Sequence, residues 1–323
     1  MGVSREEVLW CYRNLLGREP ESDATVRSHL DSTSFRALVK AFVRSPEFMG
    51  KQARVGQPSI NQGFFHALDL QKNEVDVVAS SEQLAACIAK IKAAWSHLGE
   101  VRPHFSVLTD DQFLPENLGG SIDKIWESGE EEAATAQRIL DHHGFSDSSG
   151  KTCVEYGCGV GRVTMGFARR FARVHGYDIS PGHLRHARER ALELHVRNVT
   201  FHQCAGSVPE DLQSCDFFYS RIVFQHNPPP LAAELIKAAL RSLRPDGIAI
   251  FQIPTYRIGY RFKLAEWLAA EQPLDMEMHC LPQQHVFELI AGERCLPLEV
   301  REDNSTGAPE RFISNTFVVR KPG

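Results

Sequence analysis

The stretch Val154-Glu155-Tyr156-Gly157-Cys158-Gly159-Val160-Gly161-Arg162 decides the fold. An apolar run passes into three glycines on alternate positions. Glycine lacks a Cβ, so the chain can turn tightly there and a ligand can approach the backbone. The helix predicted from Arg162 onward starts with unpaired N–H groups, and strand, turn and helix together make a nucleotide-binding turn. A second predicted strand, Val174-His175-Gly176-Tyr177-Asp178-Ile179, ends in an acid twenty-one residues beyond Gly157, placed to hold a pair of ribose hydroxyls.

The spacing separates two ligands. A dinucleotide fingerprint puts its third glycine five positions after the first, where this chain has the long side chain of Arg162. Glu155 adds a carboxylate that would repel a pyrophosphate but suits an ammonium or sulfonium. S-adenosylmethionine meets both conditions. With Glu155-x-Gly157-Cys158-Gly159-x-Gly161, Asp178-Ile179-Ser180 and Leu243-Arg244-Pro245-Asp246-Gly247, the chain resembles the class I S-adenosylmethionine-dependent methyltransferases over roughly residues 120 to 320.

The 323 residues, 42% of them hydrophobic, suffice for one large or two ordinary domains. A net charge of −5 gives no extended phosphate-binding surface, so nucleic acid is not an expected partner. The eight cysteines contain no C-x-x-C pair, which reads as reduced thiols in a cytoplasmic protein, with no zinc or other metal site. No apolar leader and no run of about 18 apolar residues suggests export or a membrane span.

Residues 1–50 read as a separate helical module. Val8, Leu9, Tyr12, Leu15 and Leu16 form one stripe, and Phe35, Leu38, Val39, Phe42 and Val43 a second. The phrase from Tyr12 to Pro20, with Ser45-Pro46-Glu47-Phe48, resembles the small helical domains related to phycobilisome linkers, which accompany bacterial glycan enzymes. Seven Lys/Arg balance seven Asp/Glu between residues 4 and 50, which favours a protein partner over nucleic acid. Residues 51–120 read as a helical linker region, with a helix over 82–98 through Leu84, Ile88, Ile91 and Trp95.

Residues 121–323 read as the methyltransferase domain, with a lid insert at about 255–294. Strands are expected at 152–157, 173–178, 199–204, 216–220, 247–253, 297–303 and 313–320, alternating with helices. The expected fold is α/β: a Rossmann-like seven-stranded sheet with helices on both faces, plus the small all-α N-terminal domain.

Ligands of such sheets bind outside the carboxyl ends of the strands. The resemblance implies that Gly157, Cys158, Gly159, Gly161, Asp178, Ile179, Gly206, Ser207, Ser220 and Arg221 line the cofactor crevice, with Glu155 beside them. Asp178 would bond the ribose, and Ile179 would pack on adenine. Ala205 stands where family members often carry an acid for the adenine amino group. Trp126-Glu127-Ser128-Gly129 looks like the element that closes over the methionine end in some members; alternatively, Trp126 anchors a helix in the core.

An oxygen nucleophile benefits from a base titrating near the working pH. His226 and His279 are the candidate catalytic residues, each with a structural role as the alternative. Asn227-Pro228-Pro229-Pro230 lacks the aromatic of the amino-methylating motif and reads as a helix start. Gln252, Tyr256, Arg257 and Tyr260 suit a hydroxylated acceptor, a saccharide or glycan by the N-terminal association or else a small natural product. A catalytically degenerate binding protein is the remaining reading.

Overall fold

The structure, a computed structural model, describes residues 3–16, 18–45, 47–48, 70–204, 212–271 and 276–323. It divides into two compact units, Met1–Leu70 and Gln71–Gly323. The first contains helices α1 (Arg5–Asn14), α2 (Asp23–Arg27) and α3 (Phe35–Val43). Each begins at a serine, Ser4, Ser22 or Ser34, whose side chain accepts a backbone N–H of the first turn. Val8, Tyr12, Leu16, Leu38 and Phe42 from the expected stripes are buried, with Cys11 and Val26 added. Arg18 lies over the Tyr12 ring and bonds both Glu47 oxygens at 2.6 Å, tying the two parts of the quoted phrase together.

The second unit begins earlier than the sequence places the methyltransferase domain. Its first elements are β1 (Glu74–Val75), α4 (Ser81–Val101) and α5 (Ile122–His142), so residues 71–120 lie inside it. The sheet core then follows: β2 (Thr152–Tyr156), α6 (Thr164–Ala168), β3 (Arg173–Asp178), α7 (Pro181–Glu193), β4 (Val199–Gln203) and β5 (Cys215–Ser220). The remaining elements are α8 (Pro229–Ser242), β6 (Leu243–Arg257), β7 (Arg261–Phe262), α9 (Leu264–Ala269), α10 (Gln283–Gly292), β8 (Leu296–Asp303) and β9 (Phe312–Arg320).

Seven strands form one sheet in the order β4-β3-β2-β5-β6-β9-β8, with β9 antiparallel to both neighbours. The order reverses between β2 and β5, and the carboxyl ends there make the crevice where such sheets take ligands. Alternation along β5 feeds both faces. Phe217 and Tyr219 join Phe167 and Phe171 under α5 and α6, while Phe218 joins Phe251 and Phe317 on the face covered by α8. Burying each such aromatic contributes about 1.5–3 kcal/mol. Ser180 caps α7 and Pro181 opens it, as the sequence implies, and Leu184, Ala187 and Ala191 are buried. Leu194, which continues the spacing of these three, is the C-cap and is exposed.

Two features depart from the sequence reading. β6 runs on to Arg257, because β9 continues to pair with it across an irregularity at Pro254, so the insert starts beyond that strand. β1 and β7 also form a two-stranded parallel pair, Glu74 with Arg261 and Val75 with Phe262, too short to leave a periodic signal.

Candidate active site

The glycine turn has the geometry its composition requires. Gly157, Gly159 and Gly161 have φ of +77°, +54° and +82°, values that a side chain would strain. The Gly157 and Cys158 N–H groups donate to the Tyr177 carbonyl at 2.7 and 2.9 Å, hooking the turn onto β3. Asp178 completes the clamp. Its Oδ2 accepts from the Gly159 N–H and its Oδ1 from the Ser180 N–H, both at 2.8 Å, so the carboxylate joins the turn to the start of α7. Each oxygen keeps a second lone pair, and those are the sites a ribose hydroxyl pair can use.

His183 stands behind this carboxylate. It is buried, its Nδ1 is 3.5 Å from Asp178 Oδ1 without a hydrogen-bond partner, and its Nε2 meets Ser106 Oγ at 2.8 Å. Two small cavities flank the clamp. One, of about 70 Å³, is bordered by Trp95, Gly157, Asp178, Ile179 and His226; the other, of about 60 Å³, by Val107, Glu155, Cys158, Gly159 and Arg162. Both are far below the roughly 300–1,000 Å³ of an ordinary ligand site. Two valines account for this. A Cβ on Gly157 would lie 2.2 Å from Val223 Cγ2, and one on Gly159 would lie 2.7 Å from Val107 Cγ2. Val223 and Val107 thus cover the glycines beside the polar groups that could hold a nucleoside.

Several expected site residues also serve packing. Gly161 borders neither small cavity, and a Cβ on it would meet Ala187 of α7 at 3.1 Å. Gly129 lets α5 approach the Arg162 backbone, where a Cβ would lie 2.1 Å from the carbonyl oxygen. Trp126 stacks with Arg190 at 4.5 Å, lines neither cavity and is not among the buried core residues. Gly206, Ser207 and Ala205 lie outside the described residues. Ser220 Oγ donates to the Tyr156 carbonyl and Arg221 reaches α5, both at the carboxyl end of β5.

A third cavity, of about 540 Å³, opens beside these two residues, between α5, the carboxyl ends of β5 and β8, and the middle of β6 and β9. It shares Glu132, Arg162, Tyr219 and Arg221 with the smaller cavity at the glycine turn. Glu132 Oε2 accepts from Arg162 at 2.6 Å and Arg221 at 2.9 Å, and its Oε1 accepts from the Tyr219 hydroxyl at 2.7 Å. Burial opposes the charge on Glu132, but the two guanidiniums outweigh it and hold the carboxyl below its usual range. Glu155 shows the opposite balance. Desolvation pushes its carboxyl up to about 8, although Thr164 Oγ1 donates to it at 2.5 Å.

The two histidines do not meet at the large cavity. His226 Nδ1 pairs with the Glu277 carbonyl at 2.7 Å, its ring packs on Trp95, and it borders the 70 Å³ cavity. His279 is held in the insert by the Tyr260 hydroxyl at 2.9 Å and by Phe262 and Trp267, and it borders none of the three cavities. Desolvation pushes the His226 pKa down to about 4 from 6.5. As pH falls, the unfolded chain takes this proton first, so stability is lost between those two values, by about 2–4 kcal/mol in full. The stability advantage of wild type over His226→Gln is therefore expected to shrink from pH 6.5 to pH 4 in thermal melts. A constant difference would show that the imidazole is not held neutral.

Residues 153–247 match the family model described as a methyltransferase domain. The ubiquinone biosynthesis O-methyltransferases of Alkalilimnicola ehrlichii and Stutzerimonas stutzeri are 35% and 31% identical over 106 and 107 residues. Each match takes in 32% of this chain and 41% or 44% of the relative, so the chain spans less than half the length of these proteins. Among solved structures, magnesium protoporphyrin IX methyltransferase from Synechocystis PCC 6803, with bound S-adenosylhomocysteine, superposes with a TM-score of 0.53 at 16% identity, covering 73% of this chain and 99% of that one. Haemonchus contortus phosphoethanolamine N-methyltransferase 1 gives 0.52 at 15% identity, covering 76% and 50%. The fold is that of the class I methyltransferases, whose cofactor is S-adenosylmethionine, and residues 153–247 are the part that matches a methyltransferase domain. Among the described residues, no helix is long and apolar enough to cross a membrane.

Proposed function

We propose that this chain transfers the methyl group of S-adenosylmethionine to an oxygen of a small hydroxylated molecule. The observation that carries the reading is the wall shared by the glycine-turn cavity and the 540 Å³ cavity, built from Glu132, Arg162, Tyr219 and Arg221. A donor against the turn and an acceptor in the larger space meet across these side chains. The cofactor supplies an electrophilic methyl on a sulfonium. Asp178 and the turn backbone hold its nucleoside, Glu155 faces its positive end, and Val107 and Val223 exclude water once they settle on the bound molecule. Alignment of this kind is worth ~7–11 kcal/mol when the attack geometry is well held.

Oxygen is favoured over nitrogen because both curated relatives are named as O-methyltransferases. A saccharide acceptor gains no support from them. Docking of a protein partner by the N-terminal unit belongs to the same proposal and rests on its balanced charge and separate core. Incubation with methyl-labelled S-adenosylmethionine and matched phenols, alcohols and amines tests the reading. Label is expected in ethers or esters, and label confined to amines would overturn it. A non-catalytic binding role draws on the valines covering the glycines, and it differs by giving no transfer to any acceptor.

A further inference from the structure

The junction of the two cavities carries more positive than negative charge at its inner end. Arg162 and Arg221 both donate to one oxygen of Glu132, whose other oxygen accepts from Tyr219, so two cations share a single carboxylate. Arg162 is buried and its Nε has no hydrogen-bond partner. Arg221 is reachable, its side chain 39% exposed, and its second Nη makes only a 3.4 Å contact with Ser305 Oγ. Among the acids elsewhere on the wall, Asp303 also acts on Arg221 through its charge. Glu131 and Glu302 are exposed, while the Asp303 oxygens are engaged by Thr316 Oγ1 at 2.7 Å and the Ser305 N–H at 2.8 Å. Neither candidate histidine borders this space.

We propose that Arg221 receives an anionic oxygen of the methyl acceptor, a phenolate or a carboxylate, which attacks without a protein base. The inference rests on the methyltransferase reading and adds the acceptor class. An oxygen that is already an anion needs no proton removed in the transition state. The new O–C bond forms as the methyl–sulfur bond breaks, the electron pair goes to sulfur, and the charges of oxyanion and sulfonium disappear together. Guanidinium suits the task because its charge is permanent and its paired donors match a carboxylate or phenolate. Glu132 acts as a positioning residue, since its carboxyl is held ionised by the two arginines and has no proton to exchange near neutrality.

The test uses the full chain with saturating S-adenosylhomocysteine, and 4-nitrophenol as a probe whose absorbance reports its ionisation. The wild type is expected to bind the phenolate and lower the apparent pKa of the probe by about one unit. Arg221→Met should abolish the shift and weaken binding about 10- to 100-fold, while Arg221→Lys should keep part of the shift. Neutral 4-nitroanisole should bind the wild type and Arg221→Met alike. A parallel titration with 4-nitrobenzoate separates the sources: tighter binding than 4-nitrophenol assigns the seat to a carboxylate, weaker binding to a phenolate. An unshifted probe, no binding of either anion, or equal binding by wild type and Arg221→Met would overturn the proposal. Calorimetry with S-adenosylhomocysteine keeps the two readings apart: no heat in any variant removes the methyltransferase reading, whereas normal heat with an unshifted probe removes only the acceptor assignment.

Discussion

Asp178→Ala is expected to lower S-adenosylhomocysteine affinity by about 100-fold or more and to melt at a lower temperature than the wild type. Sequence alone assigns this acid to the ribose. The structure adds a second duty, because both oxygens already accept backbone N–H groups, one from Gly159 and one from Ser180. Alanine leaves both donors buried, at about 1–3 kcal/mol each, and frees the turn from the start of α7. Asp178→Asn should fall between, since an amide keeps one acceptor but sets an N–H against an N–H. The measurement is calorimetric affinity alongside a thermal melt. Unchanged affinity in a destabilised variant would mean that the carboxylate is purely structural.

Glu155→Gln is expected to become more stable relative to wild type as pH rises from about 4.5 to about 8. Burial raises the Glu155 pKa from 4.5 to about 8, so in that window the unfolded chain releases a proton that the folded chain keeps. More protons bound in the folded state means that stability falls with rising pH, fully by pH 8, with a total of about 3–5 kcal/mol. Glutamine keeps an acceptor for Thr164 and removes this loss. Denaturant unfolding at pH 5 and pH 8.5 checks it, and equal pH dependence in both proteins would contradict the assignment. The same residue couples to the ligand. A cation set against Glu155 favours its ionised form, so cofactor affinity should rise with pH through the same range and lose that dependence in the variant.

All seven strands of the main sheet were legible in the sequence to within a few residues, because parallel βα units write apolar runs bounded by glycine and proline. Ser180-Pro181 gave away the α7 start through its cap, and Asp178 through its position at a strand end. What escaped depended on tertiary contact. Val107 and Ser106 sit in a segment without periodicity, yet they cover Gly159 and meet His183. Arg162, whose bulk argued against a dinucleotide, finds its partner Glu132 thirty residues away on α5, a pairing that no local pattern announces. Gly129 and Gly161 also let protein surfaces approach each other, a Cβ there meeting the Arg162 carbonyl or Ala187, and no local pattern shows which segment comes close. His279 carries a titratable ring on an insert, but Tyr260, Phe262 and Trp267 hold it away from the cavities.

The central claim is that the turn bearing Gly157 and Gly159, clamped by Asp178, seats S-adenosylmethionine. Isothermal titration of the full chain with S-adenosylhomocysteine, beside the Gly159→Val variant, tests it most directly. One site of micromolar affinity in the wild type and none in a folded Gly159→Val protein is the expected result. No binding to the folded wild type, or equal binding to both, would contradict it.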